Sequence, residues 1–155
     1  MAYDQEMADL ASDLFRTFAQ VEYCLKVTGY CVAGRGDAAN PDWTRFALEI
    51  PPLEDAGEDV VAAISYMQKH PPKKQVYVDE VLQWRIVAPN AENENDLIFL
   101  YVRRVRNNLF HGGKFNGSFF DPERSRELLE YSITILMAAI CMSPPMLEAY
   151  ENCTD

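Results

Sequence analysis

The sequence predicts an all-α fold, an antiparallel helical bundle with an irregular middle segment, in which residues 1–155 form a single domain. Three observations predict it. Apolar residues recur at three-and-four spacing over long stretches near both ends of the chain and beyond its middle, the mark of helices that bury one face. Capping and stopping residues bracket those stretches. The connections between them are short, which favours antiparallel neighbours. At 155 residues, 48% hydrophobic and 25% charged, the chain can build one sizeable core and is not expected to be disordered.

The first helix is expected over residues 5–26, with Met7, Leu10, Ala11, Leu14, Phe18, Val21 and Leu25 on one face and Asp4 as its cap. Gly29 and the run Gly34-Arg35-Gly36-Asp37 then punctuate the chain, and the Arg-Gly-Asp triplet reads as a turn rather than an adhesion signal. A short helix is expected over residues 41–48, with Asn40 as cap and Pro41 in its first position, ended by Pro51-Pro52. Val60, Val61, Ile64 and Met67 place another over residues 54–69, stopped by His70-Pro71-Pro72. Residues 75–87 fit either an extended segment or a helix, and periodicity does not choose between them.

The next helix is better marked. Asn93-Glu94-Asn95-Asp96 precedes residues 97–110, where Ile98, Val102, Val105 and Leu109 form one stripe and Gly112-Gly113 supply a stop. The last long helix starts with Asp121 as cap and Pro122 in the first position. It runs through Leu128, Leu129, Ile133, Leu136, Met137 and Ile140 to Ser143, where Pro144-Pro145 break it before a short terminal helix.

No apolar run reaches the length of a membrane span, residues 97–102 being the longest candidate, so no membrane association is expected. Residues 1–6 do not read as a secretory signal, and the expected compartment is the cytoplasm. The four cysteines, Cys24, Cys31, Cys141 and Cys153, fit neither a zinc site nor a disulfide framework. Cys24 and Cys141 sit in apolar helical patterns and are expected in the core, and pairing of Cys24 with Cys31 is disfavoured in a reducing compartment. Neither a metal nor a cofactor is expected.

Formal net charge is -10, which opposes broad binding of nucleic acid. Its distribution is uneven. Residues 97–120 hold four basic residues, Arg103, Arg104, Arg106 and Lys114, and no acidic one, so the rest of the chain carries 10 basic and 24 acidic residues. This positive island contains two asparagines and one of the two histidines, in the run Arg103-Arg104-Val105-Arg106-Asn107-Asn108-Leu109-Phe110-His111-Gly112-Gly113-Lys114. Arginine offers a planar fork of donors to phosphate, and histidine passes protons near neutral pH. Together they can cleave RNA through the ribose 2′-hydroxyl, with arginine stabilising charge at phosphorus, and no metal is required. Five residues along a regular helix is a rotation of about 140°. Arg106 and His111 therefore converge only if the helix end is distorted, which Gly112-Gly113 permit, or if a two-fold mate supplies the complement.

At these residues the chain resembles the HEPN superfamily, which carries Arg, a polar residue that is often Asn, a few further residues and then His, here Arg106-Asn107-Asn108-Leu109-Phe110-His111. The first helix is also similar to that family's, with Phe15, Phe18, Glu22 and Lys26 in matching spacing. The resemblance covers the first helix and residues 93–142, about half the chain, and leaves residues 28–90 unexplained. It implies a small helical bundle that dimerises and brings two copies of the motif into one cleft. It also implies a metal-independent endoribonuclease with RNA as partner, in some members a toxin or defence effector with a cognate antitoxin or regulator. By the same resemblance Arg106 and His111 are catalytic, Asn107 supports them, and Glu22, Arg103 and Lys114 are candidate substrate contacts. Gly113 stands where one group of HEPN toxins has a tyrosine that a nucleotidyltransferase antitoxin modifies, so that mode of neutralisation is not expected.

Blander readings apply to several of these residues. Arg103 and Arg104 can serve as a solvated helix end that completes the dipole. Asn108 reads as a local cap or a solvent-facing residue, Glu22 and Lys26 as structural or surface charges, and Lys69, Lys73 and Lys74 as a solvated turn, with RNA contact as the lesser alternative. Trp43 and Trp84 read as packing rather than base-stacking platforms. Two other functions compete with the ribonuclease: a non-catalytic HEPN module that binds a nucleotide, RNA or protein through the same cleft, and a helical scaffold in which the motif is coincidental.

Overall fold

A computed structural model describes residues 2–110 and 122–153. The first helix, α1, spans Ala2–Val27, so Asp4 lies inside it rather than capping it. Its inward face is the expected one, with Met7, Leu14, Phe18, Val21 and Leu25 buried. Gly29 ends it for a backbone reason. The Tyr30 N–H reaches back to the Leu25 carbonyl and the Gly29 N–H to that of Lys26, a six-to-one and five-to-two pair that needs the residue between in the left-handed region. Gly29 sits there at φ 97°, where a side chain would be strained.

Two β-hairpins correct the all-α expectation. Strands β1 (Cys31–Ala33) and β2 (Ala39–Pro41) pair antiparallel, with Val32 opposite Asn40. The Arg-Gly-Asp triplet is a 3₁₀ turn at the tip, as the turn reading expects. Strands β3 (Lys74–Val78) and β4 (Val81–Arg85) pair with Gln75 opposite Trp84 and Tyr77 opposite Leu82, which resolves the ambiguous middle segment as extended. Asp79 and Glu80 connect them, both at positive φ (51° and 63°). That two-residue geometry matches the right-handed twist of the strands it joins.

Helix α2 spans Trp43–Glu49. Its cap is Asp42, whose carboxylate accepts the Arg45 N–H at 3.1 Å; Asn40 and Pro41 belong to β2 instead, because their strand pairing takes precedence over their fitness for a helix start. The stretch expected as one helix over residues 54–69 is two elements, a 3₁₀ turn at Leu53–Ala56 and α3 at Glu58–Lys69, parted by Gly57 at φ 135°. Helix α4 spans Glu94–Phe110, α5 spans Pro122–Cys141 and α6 spans Pro144–Cys153. Pro122 opens α5 as expected, whereas its expected cap Asp121 lies outside the described residues. Among the described residues no single helix is long and apolar enough to cross a membrane.

One core joins these helices. Aromatic rings link α1, α2 and α4, with centroid distances of 5.4 Å for Phe18–Trp43, 5.3 Å for Trp43–Phe99 and 5.7 Å for Phe46–Phe99. Such contacts add to plain area burial through ring geometry. The polar run before α4 is built into this core. Asn93 caps the helix, accepting the Asp96 N–H at 2.8 Å. Asn95 is buried; its amide donates to the carbonyls of Ala47 (3.2 Å) and Pro51 (3.1 Å), and its oxygen accepts the Leu53 N–H at 2.9 Å. Asp96, also buried, accepts from the Thr44 hydroxyl (3.1 Å) and the Glu92 N–H (3.0 Å).

Cys24 is in the core as expected, but Cys141 is exposed at the end of α5. Cys24 faces Cys153 of α6, not Cys31; burial first, and the neighbouring Cys153 thiol second, push the Cys24 thiol up to about 11. It therefore stays protonated at neutral pH and packs as a small apolar group.

Candidate nucleic-acid interface

Helix α4 carries most of the predicted site, and its buried stripe of Ile98, Phe99, Val102 and Val105 fixes which side chains remain outside. Arg106 turns toward α1. Its guanidinium lies 5.1 Å from the centroid of the Phe18 ring, a cation–π contact. It also donates to the side-chain oxygen of Asn107 at 2.9 Å. That bond orients the guanidinium and leaves the Asn107 amide hydrogens available as donors.

Glu22 is a turn further along α1 than Phe18. Its carboxylate accepts the Trp43 indole N–H at 3.1 Å, and Trp43 in turn packs on Phe18. Glu22 of α1 and Arg106 of α4 thus meet the two members of one aromatic pair. Trp43 is buried, in line with its packing role. His111 and Lys114, expected as catalytic and substrate-contacting, lie outside the described residues.

On the opposite flank of α4 an open groove of about 470 Å³ runs against β3, lined by Leu100, Arg103, Arg104, Asn107 and Asn108 of the helix and Lys74 and Gln75 of the strand. The members are not equivalent. Arg104 donates to the Val87 carbonyl at 2.6 Å and to that of Pro72 at 3.4 Å, so it clamps the two feet of the β3–β4 hairpin to the helix. Desolvation lowers its pKa from the ordinary arginine value, partly opposed by Tyr101, yet an arginine so placed is still a cation at neutral pH. Asn108 donates to the Lys73 carbonyl at 2.7 Å. It secures the same hairpin and is not the local cap expected of it. Arg103 makes no such bond to the backbone of the described residues and stands partly exposed. Among the described residues, no carboxylate forms an ion pair with Lys74, Arg103 or Arg104.

Sequence reasoning gave Arg103 and Arg104 the same two readings, a solvated helix end or a phosphate contact, and the fold separates them. It read Lys74 first as part of a solvated turn and only second as an RNA contact, whereas the strand it begins brings it beside α4. The available signal was the Lys73-Lys74 pair leading into a segment of strand-forming residues. His70 takes the C-cap of α3, with its ring 4.8 Å from that of Tyr66. Among the described residues no three His, Cys, Asp or Glu side chains are grouped to hold a metal ion.

Compared with known proteins, the chain matches no family model, and no curated protein and no solved structure is significantly similar to it.

Proposed function

We propose that the protein is a metal-independent endoribonuclease of HEPN type, acting in the cytoplasm as a homodimer. The observation that carries this reading is Arg106 with Asn107, late in α4, hydrogen-bonded to each other and followed at the motif spacing by His111. In the reaction the ribose 2′-oxygen attacks the adjacent phosphorus and the bond to the 5′-oxygen breaks. The products are a 2′,3′-cyclic phosphate and a free 5′-hydroxyl. His111 exchanges the proton, and Arg106 stabilises the charge that develops on the phosphoryl oxygens. Neither a cofactor nor a metal takes part in this scheme. Tyr23 and Val27 stay exposed one turn apart on α1, and this apolar pair supports association with a second copy. A toxin or defence effector, with a protein antitoxin or regulator as partner, is the cellular role the reading suggests.

The test is cleavage of a mixed RNA pool in excess chelator by wild type, His111→Ala and Arg106→Ala. Cleavage that survives chelation, leaves 2′,3′-cyclic ends and falls about a hundredfold or more in both variants supports the assignment. An inert wild type, or equal cutting by all three proteins, rejects it. The net charge of -10 favours a second reading, a non-catalytic HEPN module that binds RNA, a nucleotide or a protein at the same place; it predicts binding with no cleavage.

A further inference from the structure

We propose that the groove between α4 and β3 holds the phosphodiester backbone of single-stranded RNA and leads the strand to the Arg106–Asn107 end of α4. The proposal takes RNA as the substrate class from the function above and adds where the chain runs. Three features of the groove point to it.

The first is charge. In a protein of net charge -10, the described lining of this groove holds three cations and no acidic residue, and no carboxylate among the described residues neutralises any of them. Because the chain as a whole carries an excess of ten negative charges, a polyanion is favoured at this cationic line over the rest of the protein.

The second is continuity. Asn107 lines the groove and also accepts the hydrogen bond from Arg106. Arg103 lies one turn earlier on the same helix flank, about 6 Å away along the axis. A strand seated on Arg103 and Lys74 thus arrives at the motif without crossing another element. Gln75, Asn107 and Asn108 add side-chain amides that suit phosphate and sugar oxygens.

The third is an exposed ring. Side chains alternate along a strand, so Tyr77 shares a hairpin face with Gln75. Tyr77 is 70% exposed, and its cross-strand partner Leu82 is 62% exposed. A ring left in water beside a cationic groove suits an unpaired base, which stacks with little regard to sequence, whereas a duplex keeps its base faces covered.

The experiment uses full-length His111→Ala protein, so that the probe is not consumed, and a fluorescent single-stranded RNA oligonucleotide read by anisotropy over a range of salt. Lys74→Gln and Arg103→Gln should each weaken binding by about tenfold. Each should also flatten the slope of log affinity against log salt by about 0.7. Arg103→Lys should keep the slope, and Tyr77→Ala should weaken binding about fivefold or more without altering it. Arg35→Gln, on the tip of the other hairpin, serves as the control and should bind as wild type. Lys74 and Tyr77 are exposed strand residues, so their variants should keep the wild-type melting curve.

No binding by the parent protein, unchanged affinity in the groove variants, or equal affinity for a duplex of the same sequence overturns the proposal. The two readings separate cleanly. Groove-dependent binding with no cleavage of the RNA pool upholds the groove and rejects the ribonuclease. Cleavage by wild type that is unchanged in Lys74→Gln and Arg103→Gln at limiting RNA upholds the ribonuclease and rejects the groove.

Discussion

The two ends of α4 are both rich in polar side chains, and the protein uses them in opposite ways. At the start of the helix, Asn95 and Asp96 are buried and bonded inward, to the α2–α3 connection, to Thr44 and to Glu92. At its end the residues divide. Arg104 and Asn108 hold the β3–β4 hairpin by its backbone carbonyls, while Arg103, partly exposed, lines the groove with Lys74. Polarity in a sequence thus says little about role until the hydrogen-bond partners are known. A buried amide with several partners is architecture, because losing it strands every group it served. A cation such as Arg103, which no carboxylate among the described residues pairs with, in a groove whose described lining holds no acidic residue, is placed to meet a ligand.

The contrast can be broken most sharply at Asn95. Asn95→Ala would leave the Leu53 N–H and the Pro51 carbonyl without this partner, while the Ala47 carbonyl would keep the Asn93 amide. It should cost about 3 kcal/mol of stability in urea unfolding. At temperatures where the variant is folded, its affinity for RNA should match that of the parent. A loss under about 1 kcal/mol would show that water replaces the amide and that the start of α4 is not the keystone described above.

A smaller and more local effect is expected at the clamp. Arg104→Gln should raise amide hydrogen exchange in residues 74–85 and cost about 1–2 kcal/mol, since a charge-assisted bond to backbone is lost. Arg103→Gln should change stability by less than about 0.5 kcal/mol. Equal exchange rates in the two variants would erase the distinction between neighbouring arginines. The smallest effect has the opposite sign. Glu80 holds φ 63° in the hairpin turn, a conformation that costs a residue with a side chain about 1 kcal/mol. Glu80→Gly should recover about that amount and raise the melting temperature; a lower melting temperature would mean that the side chain contributes more than its backbone strain.

The same turn explains why the hairpin was not legible in the sequence. Its two central residues are Asp79 and Glu80, whereas such turns are signalled by Asn-Gly or Asp-Gly. Without the glycine, Val78, Val81, Leu82 and Arg85 fit a helix as well as two strands. The faces of α1 and α4 were legible because each buries a long stripe at helical spacing, from Met7 to Leu25 and from Ile98 to Val105. The α2 cap was misplaced by two residues because Asn40 and Pro41 satisfy the local rules for a helix start, while strand pairing with Val32 and Cys31 decides their conformation. Cys141 stands in an apolar run and was expected inside, but the run ends at the rim of the bundle. The site was legible in part. Composition located the positive island, and spacing located Arg106 with Asn107. The clamp and the groove depend on Lys73, Lys74 and Val87, which lie 17 to 35 residues from their partners on α4.

The way the hairpin is attached has a consequence for how such a protein can change. Arg104 and Asn108 grip only the backbone at the feet of β3–β4, through carbonyls that any residue supplies, and Tyr77, Leu82 and the turn project clear of the helices. Strand length and tip composition can therefore drift, or be redesigned in whole cassettes, while the packing of the bundle is untouched. A homologue or an engineered version with a longer or more basic hairpin would keep the same motif and the same melting behaviour. It would handle a different stretch of its ligand, so diversification of target and conservation of scaffold fall to separate parts of one small chain.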